Sequence, residues 1–233
     1  MLIQSSETHI DPRPAPRRSA GLPIHVFVVD DHSAVRRGIR QLISEQPDLV
    51  AIGEAASASE VDGQTACWAD VALVDYHLHG DDGLWLARRL QSCARAPRVL
   101  IYSAFADHAL ALAAMIAGAD GLLSKATLDE ELCVAIRRVA NGRQHFPAVP
   151  GSLARALPTR LERRDQAIFD MALHGLSCKE IAARLSITRA GLEVHRDQIV
   201  GAIAPKAMQA SVPAAHAPLD SAGDRRRSRY RPT

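Results

Sequence analysis

No apolar run in this 233-residue chain approaches membrane-spanning length, although 47 % of its residues are apolar, so a soluble, cytoplasmic protein with no membrane partner is expected. A signal-peptide block is missing as well. Met1 to Pro23 holds four prolines and several charges, and reads as a disordered leader, not an export signal. The four cysteines (Cys67, Cys93, Cys133, Cys178) show no Cys-x-x-Cys spacing, and buried thiols in a reducing cytoplasm are expected of them. Excess charge is scarce, a formal net of +2. The length predicts one or two domains and is ample for a buried core.

What the chain does have is a set of short apolar runs that stop at chemically active side chains. Asp70-Val-Ala-Leu-Val-Asp75-Tyr-His-Leu-His-Gly-Asp-Asp-Gly83 opens with the run Val71 to Val74 and places Asp75 at its end. A run this short, bounded by polar residues and glycine, suits a strand buried on both faces. Ile24 to Val29 ends in Asp30-Asp31, Arg98 to Ser103 ends in a hydroxyl, and Gly121 to Lys125 ends in an ammonium. In open parallel sheets, ligands meet the chain just beyond the carboxyl ends of the strands. Three carboxylates gathered there repel one another unless a hard divalent cation binds among them. Cation, hydroxyl and ammonium around Asp75 make a cradle for three phosphoryl oxygens, which stabilises charge on a transferring phosphoryl group.

Helical patterns fill the gaps. Val35, Ile39, Leu42 and Ile43 share a face that Pro47 closes, and Leu49 to Ile52 is a second strand. Glu54 to Ala69 is a poor helix interrupted by Asp62-Gly63. Leu84, Leu86, Ala87 and Leu90 mark a helix after the Asp75 loop. Asp107 to Ala117 is a strong helix former with little amphipathic character, and its acidic first residue suits the helix dipole. Leu128, Leu132, Ile136 and Val139 line a helix that ends at Asn141-Gly142. Five strand–helix alternations predict an α/β fold, a doubly wound five-stranded parallel sheet covered on both faces.

A second, smaller all-α unit follows. Phe146 to Ser152 has two prolines and a glycine and reads as linker, and Leu153 to Leu157 as a helical turn or more linker. Ile168, Met171 and Ala172 give one apolar face; Ser177 is an N-cap for a helix with Ile181, Ala182 and Leu185 inward. Thr188 caps a third helix that buries Leu192, Ile199 and Ile203. Two short helices joined by a small turn fit helix-turn-helix geometry; a helical bundle without nucleic-acid contacts fits the periodicity equally well. The expected organisation is a leader (1–22), the α/β domain (23–144), a linker (145–157), the helical domain (158–205) and a basic tail (206–233). That tail has six basic and two acidic residues and reads as a solvated disordered segment, with non-specific phosphate contacts as the alternative.

Residues from about 22 to 143 resemble the receiver domain of two-component response regulators. Val-Val-Asp-Asp-His (28–32), Leu-Val-Asp-Tyr-His-Leu-His-Gly-Asp-Asp-Gly (73–83), Tyr-Ser-Ala (102–104) and Gly-Ala-Asp-Gly-Leu-Leu-Ser-Lys (118–125) carry the likeness. The resemblance implies that Asp75 is the phosphoacceptor for a sensor histidine kinase, and that Asp30, Asp31, Asp75 and the His77 backbone carbonyl hold Mg²⁺. It makes Ser103 the switch hydroxyl and Lys125 the phosphoryl partner. Such a protein signals by phosphoryl acceptance and slow hydrolysis and is not a metabolic enzyme. Two positions depart from the family: His79 stands where proline is usual, and Leu122 where a switching aromatic is usual.

Leu161 to Ile203 resembles the LuxR-type output domain through Leu-Glu-Arg-Arg-Asp (161–165), Gly-Leu-Ser-Cys-Lys-Glu-Ile-Ala (175–182) and Val-His-Arg (194–196). This implies a transcription regulator that binds duplex DNA, as a homodimer at least when phosphorylated. The implied contacts are Lys179, Arg184, Thr188, Arg189, Glu193 and Arg196. Seven basic against six acidic residues between Leu157 and Pro205 predict a weak electrostatic contribution. Gly191 replaces the usual threonine, at a cost of about 1 kcal/mol in a helix interior, and Glu193 replaces a frequent lysine. Two alternatives therefore stand: a regulator of weakened DNA affinity acting through protein partners, and a phosphorylation-independent DNA binder.

Overall fold

The computed structural model describes residues 21–203, apart from 62, 80, 92, 94, 151–160, 175 and 177. Residues 1–20 of the leader, the Leu153–Leu157 turn, the Ser177 cap and the arginine-rich tail lie outside the described residues. Apolar runs that cannot expose either face become the inner strands. The order is β1 (Ile24–Val29), α1 (Ser33–Ser44), β2 (Leu49–Ala55), α2 (Gly63–Trp68), β3 (Val71–Asp75), a two-strand antiparallel hairpin β4 (His77–Leu78) and β5 (Asp81–Asp82), α3 (Gly83–Leu90), β6 (Arg98–Ser103), α4 (His108–Ala117), β7 (Gly121–Ser124) and α5 (Asp129–Ala140). The five long strands form one parallel sheet ordered β2-β1-β3-β6-β7. β2 is longer than its apolar run, reaching Ala55, and Glu54 to Ala69 yields one short helix that begins at Gly63 instead of breaking there.

One face of the sheet packs Val26, Val28, Leu73 and Leu100 against Ile39 and Ile43 of α1 and Leu132, Ile136 and Val139 of α5. The other face packs Phe27, Val29, Val74 and Ile101 against α3 and α4. Asp107 caps α4 through a 2.7 Å bond from the Leu110 N–H, and Asp107→Ala is expected to cost about 1 kcal/mol in urea unfolding. Gly118 ends that helix in the left-handed region (φ 81°).

α6 (Arg163–Leu173), α7 (Cys178–Leu185) and α8 (Arg189–Ile203) form the second unit. Ile168, Phe169, Ile181, Leu192 and Ile199 make its interior, and this interior is continuous with the α3/α4 side of the first domain. α4 thus lies between the sheet and the helices α6 and α8. A helix apolar all round belongs in such a place, which explains the missing amphipathicity of Asp107 to Ala117. The expected linker begins anchored: the Leu122 N–H donates to His145 O at 2.8 Å, and Val149 is buried.

Two expectations are corrected. Cys67 and Cys93 are not thiols but a disulfide, while Cys133 and Cys178 are free; the two stand 26 positions apart in sequence, so no short motif announced the bond. Gly191 is not in a helix interior: it lies in the first turn of α8, and its N–H donates to Thr188 Oγ1 at 3.1 Å. Thr188 therefore caps α8 as expected, and the glycine penalty is smaller than an interior position would incur.

Candidate functional site

Parallel strands deliver their ends to one edge, and four of the singled-out groups meet there. Asp30 and Asp31 follow β1, Asp75 is the last residue of β3, and Lys125 follows β7. Lys125 Nζ lies 2.6 Å from Asp30 Oδ2 and 2.7 Å from Asp75 Oδ2. Asp30 and Asp75 are 1 % and 4 % exposed, so this ammonium is what offsets two desolvated carboxylates. One ligand atom each from Asp30, Asp31, His32 and Asp75 lies within 4.8 Å of the others. The His32 and His79 rings reach Asp31 at 2.5 and 2.7 Å, and Arg36 Nη1 donates to the Asp30 carbonyl at 2.6 Å. His77 N–H donates to Asp75 Oδ1 at 3.3 Å.

Electrostatics follow the burial. Desolvation pulls Lys125 down, but its bonds to Asp30 and Asp75 outweigh this and hold it above its ordinary value. Burial pushes the Asp75 carboxyl above its ordinary 3.8; Lys125 opposes the rise and Asp30 adds to it. A carboxyl raised on folding holds its proton more tightly in the folded state. Its contribution to stability is therefore greatest below 3.8 and falls as pH rises through the elevated value. In metal-free buffer, Asp75→Asn is expected to remove that fall and to melt above the parent protein at neutral pH, read from thermal midpoints across a pH series.

Ser103 closes β6 at the same edge, but its hydroxyl is turned into the next loop. Its Oγ accepts from the Phe105 N–H at 3.1 Å and donates to the Phe105 carbonyl at 3.3 Å. Next to Asp75, the Tyr76, His77 and Phe105 rings stand edge to face in series, with centroids 4.6 and 6.4 Å apart. The sequence reading missed this ring series. Leu122 packs into the core at 2 % exposure. The loop after Asp75 is drawn tight by the β4/β5 hairpin, by a 2.8 Å bond from the Gly83 N–H to Tyr76 O, and by Asp82 capping α3 through the Trp85 N–H.

The helical domain distributes its polar residues unevenly. Lys179, Arg184, Thr188 and Arg189 are exposed and Glu193 is partly so. Arg196 does not project to solvent: it is 2 % exposed, with Nε donating to Ile116 O of α4 at 2.6 Å. Its Nη1 reaches Glu193 at 2.9 Å and Cys178 Sγ at 3.0 Å, so Glu193 is an intradomain ion-pair partner here. Arg189 Nη2 donates to Gln91 O at 2.5 Å, and Arg88 of α3 pairs with Asp197 at 2.8 Å. The helix expected to read DNA is thus held face-down on the first domain. Gln91 and Arg88 are functional candidates that no motif marked; Gly118 opens the 118–125 motif but was not singled out there.

Known proteins bear on this geometry. Residues 26–137 match the family model described as "Response regulator receiver domain". The nitrate/nitrite response regulator protein NarL of Escherichia coli (strain K12) is 30 % identical over 185 residues, covering 74 % of this chain and 86 % of that protein. The DNA-binding transcriptional activator DevR/DosR of Mycobacterium tuberculosis (strain H37Rv) is 32 % identical over 176 residues, covering 70 % and 80 %. A solved structure of a two-component response regulator, LuxR family, from Aurantimonas sp. SI85-9A1 is 33 % identical with a TM-score of 0.50, covering 53 % of this chain and 89 % of that one. No described helix is long and apolar enough to cross a membrane. Sheet topology, strand-end chemistry and relatives that span both halves agree: the chain belongs to the two-component response regulators, in which a receiver domain is joined to a LuxR-type helix-turn-helix output domain.

Proposed function

We propose that Asp75 of this cytoplasmic protein accepts a phosphoryl group from the phosphohistidine of a sensor histidine kinase, and that this releases a DNA-binding output domain held shut by the receiver. The observation that carries the reading is Lys125 Nζ bridging Asp30 and Asp75 at 2.6 and 2.7 Å. The oxygen donors of Asp30, Asp31, Asp75 and the His77 carbonyl suit a hard cation, and the close carboxylates call for one. Mg²⁺ bound there would supply charge neutralisation for the phosphoryl oxygens.

The chain's own residues do the rest. The Asp75 carboxylate attacks phosphorus in line with the leaving imidazole, forming an aspartyl phosphate while the imidazole takes up a proton. Lys125 exchanges its carboxylate contact for a phosphoryl oxygen. Ser103 leaves the Phe105 backbone and donates to a second oxygen, so the β6–α4 loop must follow. Hydrolysis of the acyl phosphate is slow, and the protein is a signalling component, not a metabolic enzyme. α4 begins four residues past Ser103 at the Asp107 cap, which gives loop motion a direct path to the α4–α8 contact without a switching aromatic at Leu122.

Once released, α8 would enter the major groove. Arg189, Glu193, Arg196 and Thr188 would face bases or phosphates, Lys179 and Arg184 the backbone, and a homodimer would span paired half-sites. Acetyl phosphate with Mg²⁺ tests the first step on phosphate-affinity gels. A shifted band that is absent in Asp75→Asn supports the reading; a shift that survives the substitution places the acceptor elsewhere and contradicts it.

A further inference from the structure

We propose that Cys67 and Cys93 are a reversible dithiol–disulfide pair whose state sets how firmly the output helix is held on the receiver. The inference rests on the closed form proposed above for the unphosphorylated chain. Cys67 lies on α2 and Cys93 just beyond the end of α3, with sulfurs bonded and Cα atoms 5.9 Å apart, a separation that a disulfide spans without backbone movement. Both residues keep partial exposure, whereas Cys133 is buried, so small thiol reagents can reach the pair. Where glutathione keeps thiols reduced, disulfides that do form are mostly transient, catalytic or sensing.

The tethered turn is the one that grips α8. The Cys93 N–H donates to Leu90 O at 3.1 Å, closing a turn that contains Gln91. The Gln91 carbonyl accepts from Arg189, and its side-chain amide donates to Gly118 O at 3.0 Å. Gly118 in turn lies under Arg196: a Cβ placed there would stand 2.7 Å from Arg196 Nη2. One residue, two positions from Cys93, therefore touches one arginine of α8 and supports the backbone beneath another. With the disulfide formed, α2 fixes this turn and presents the Gln91 carbonyl at one position. Reduced, the turn keeps its main-chain bonds to α3 but loses the covalent hold, and a helix end without tertiary restraint opens locally.

The exchange balances with a low-molecular-weight disulfide as oxidant. One cysteine thiolate attacks a sulfur of the small disulfide, forming a mixed disulfide and releasing one small thiolate. The second cysteine thiolate attacks the protein sulfur of that bond and releases the other. Two protein thiols are oxidised by two electrons, the small disulfide is reduced to two thiols, and the cysteine protons end on those thiols.

The test uses the full chain, unphosphorylated, in buffers poised with oxidised or reduced glutathione. Peptide mapping reads the Cys67–Cys93 bond, small-angle scattering reads domain docking, and a labelled duplex of the gene's own upstream region reads DNA affinity. The oxidised protein is expected to be compact. The reduced protein should be measurably larger and bind the duplex about fivefold tighter, the lower end of ordinary allosteric coupling. Cys67→Ser/Cys93→Ser should behave as the reduced form in both buffers, and Cys67→Ala/Cys93→Ala repeats this without an added hydroxyl. Equal compactness in both buffers, or failure of oxidised glutathione to join the pair, overturns the redox link and leaves the closed form standing. An extended particle in both buffers overturns the closed form and the redox link with it.

Discussion

Gly83→Ala is expected to slow phosphoryl acceptance on the order of a hundredfold. Gly83 opens α3 where the chain doubles back on Asp75, and a Cβ there would collide with the Asp75 carbonyl oxygen and stand 3.0 Å from Tyr76 Cα. Those neighbours are backbone atoms of the strand end itself, so no side chain can swing away to make room. Relief requires shifting the Asp75 main chain or unravelling the hairpin that ties the Gly83 N–H to Tyr76 O. Either movement displaces the carboxylate from Lys125 and Asp30, and a misplacement of about 1 Å from reactive geometry costs on the order of a hundredfold in rate. Overpacking of this kind destabilises by about 1–3 kcal/mol, so the receiver should stay folded at low temperature while its acetyl phosphate band shift slows by that factor. Normal phosphorylation of folded Gly83→Ala would contradict the packing described for this loop.

Gly118→Ala should act in the opposite direction, raising DNA affinity of the unphosphorylated protein by about tenfold, within the usual span of coupling between sites. Two effects combine. A side chain at φ 81° costs about 1–2 kcal/mol, and the new Cβ meets Arg196 Nη2 at 2.7 Å. That guanidinium is pinned by Ile116 O, Glu193 and Cys178, so moving it aside breaks the contacts that hold α8 down. Gly118 belongs to the receiver, so the output-domain residues proposed to face DNA are unchanged. Gly118→Asn separates the two effects, since asparagine tolerates the left-handed region and retains the clash. An unchanged affinity in both variants, with the receiver folded, would show that Arg196 is not held at this point.

The gathering of the receiver's strand-end groups was legible because its signals are local. Each of Asp30, Asp75, Ser103 and Lys125 ends or follows an apolar run, and parallel strands carry run ends to one edge whatever the long-range details. The Thr188 cap was readable for the same reason, whereas Asp107, read as the first residue of its helix, is its N-cap. The Glu54–Ala69 segment was less so, since α2 is short and is fixed by packing against α3 and β2 and by the Cys67–Cys93 bond. The burial of Arg196 was not readable at all: a polar residue on a recognition helix gives no local sign that it will face another domain. One signal did exist. Asp107 to Ala117 is apolar all round, and a helix with no polar face has a partner on each side. Read that way, the segment announces a second layer over α4, though not that α8 would supply it.

The central proposal is that phosphorylation at Asp75 frees α8. The direct measurement is DNA binding by the full chain, with and without beryllofluoride and Mg²⁺, on labelled fragments of its own upstream region, in parallel with Asp75→Ala. A closed form opened at Asp75 gives weak binding without the phosphate mimic, tighter and sequence-specific binding with it, and no response in Asp75→Ala. Specific binding of equal strength with and without the mimic would contradict it, since the closed form would then impose no restraint on the helix it covers.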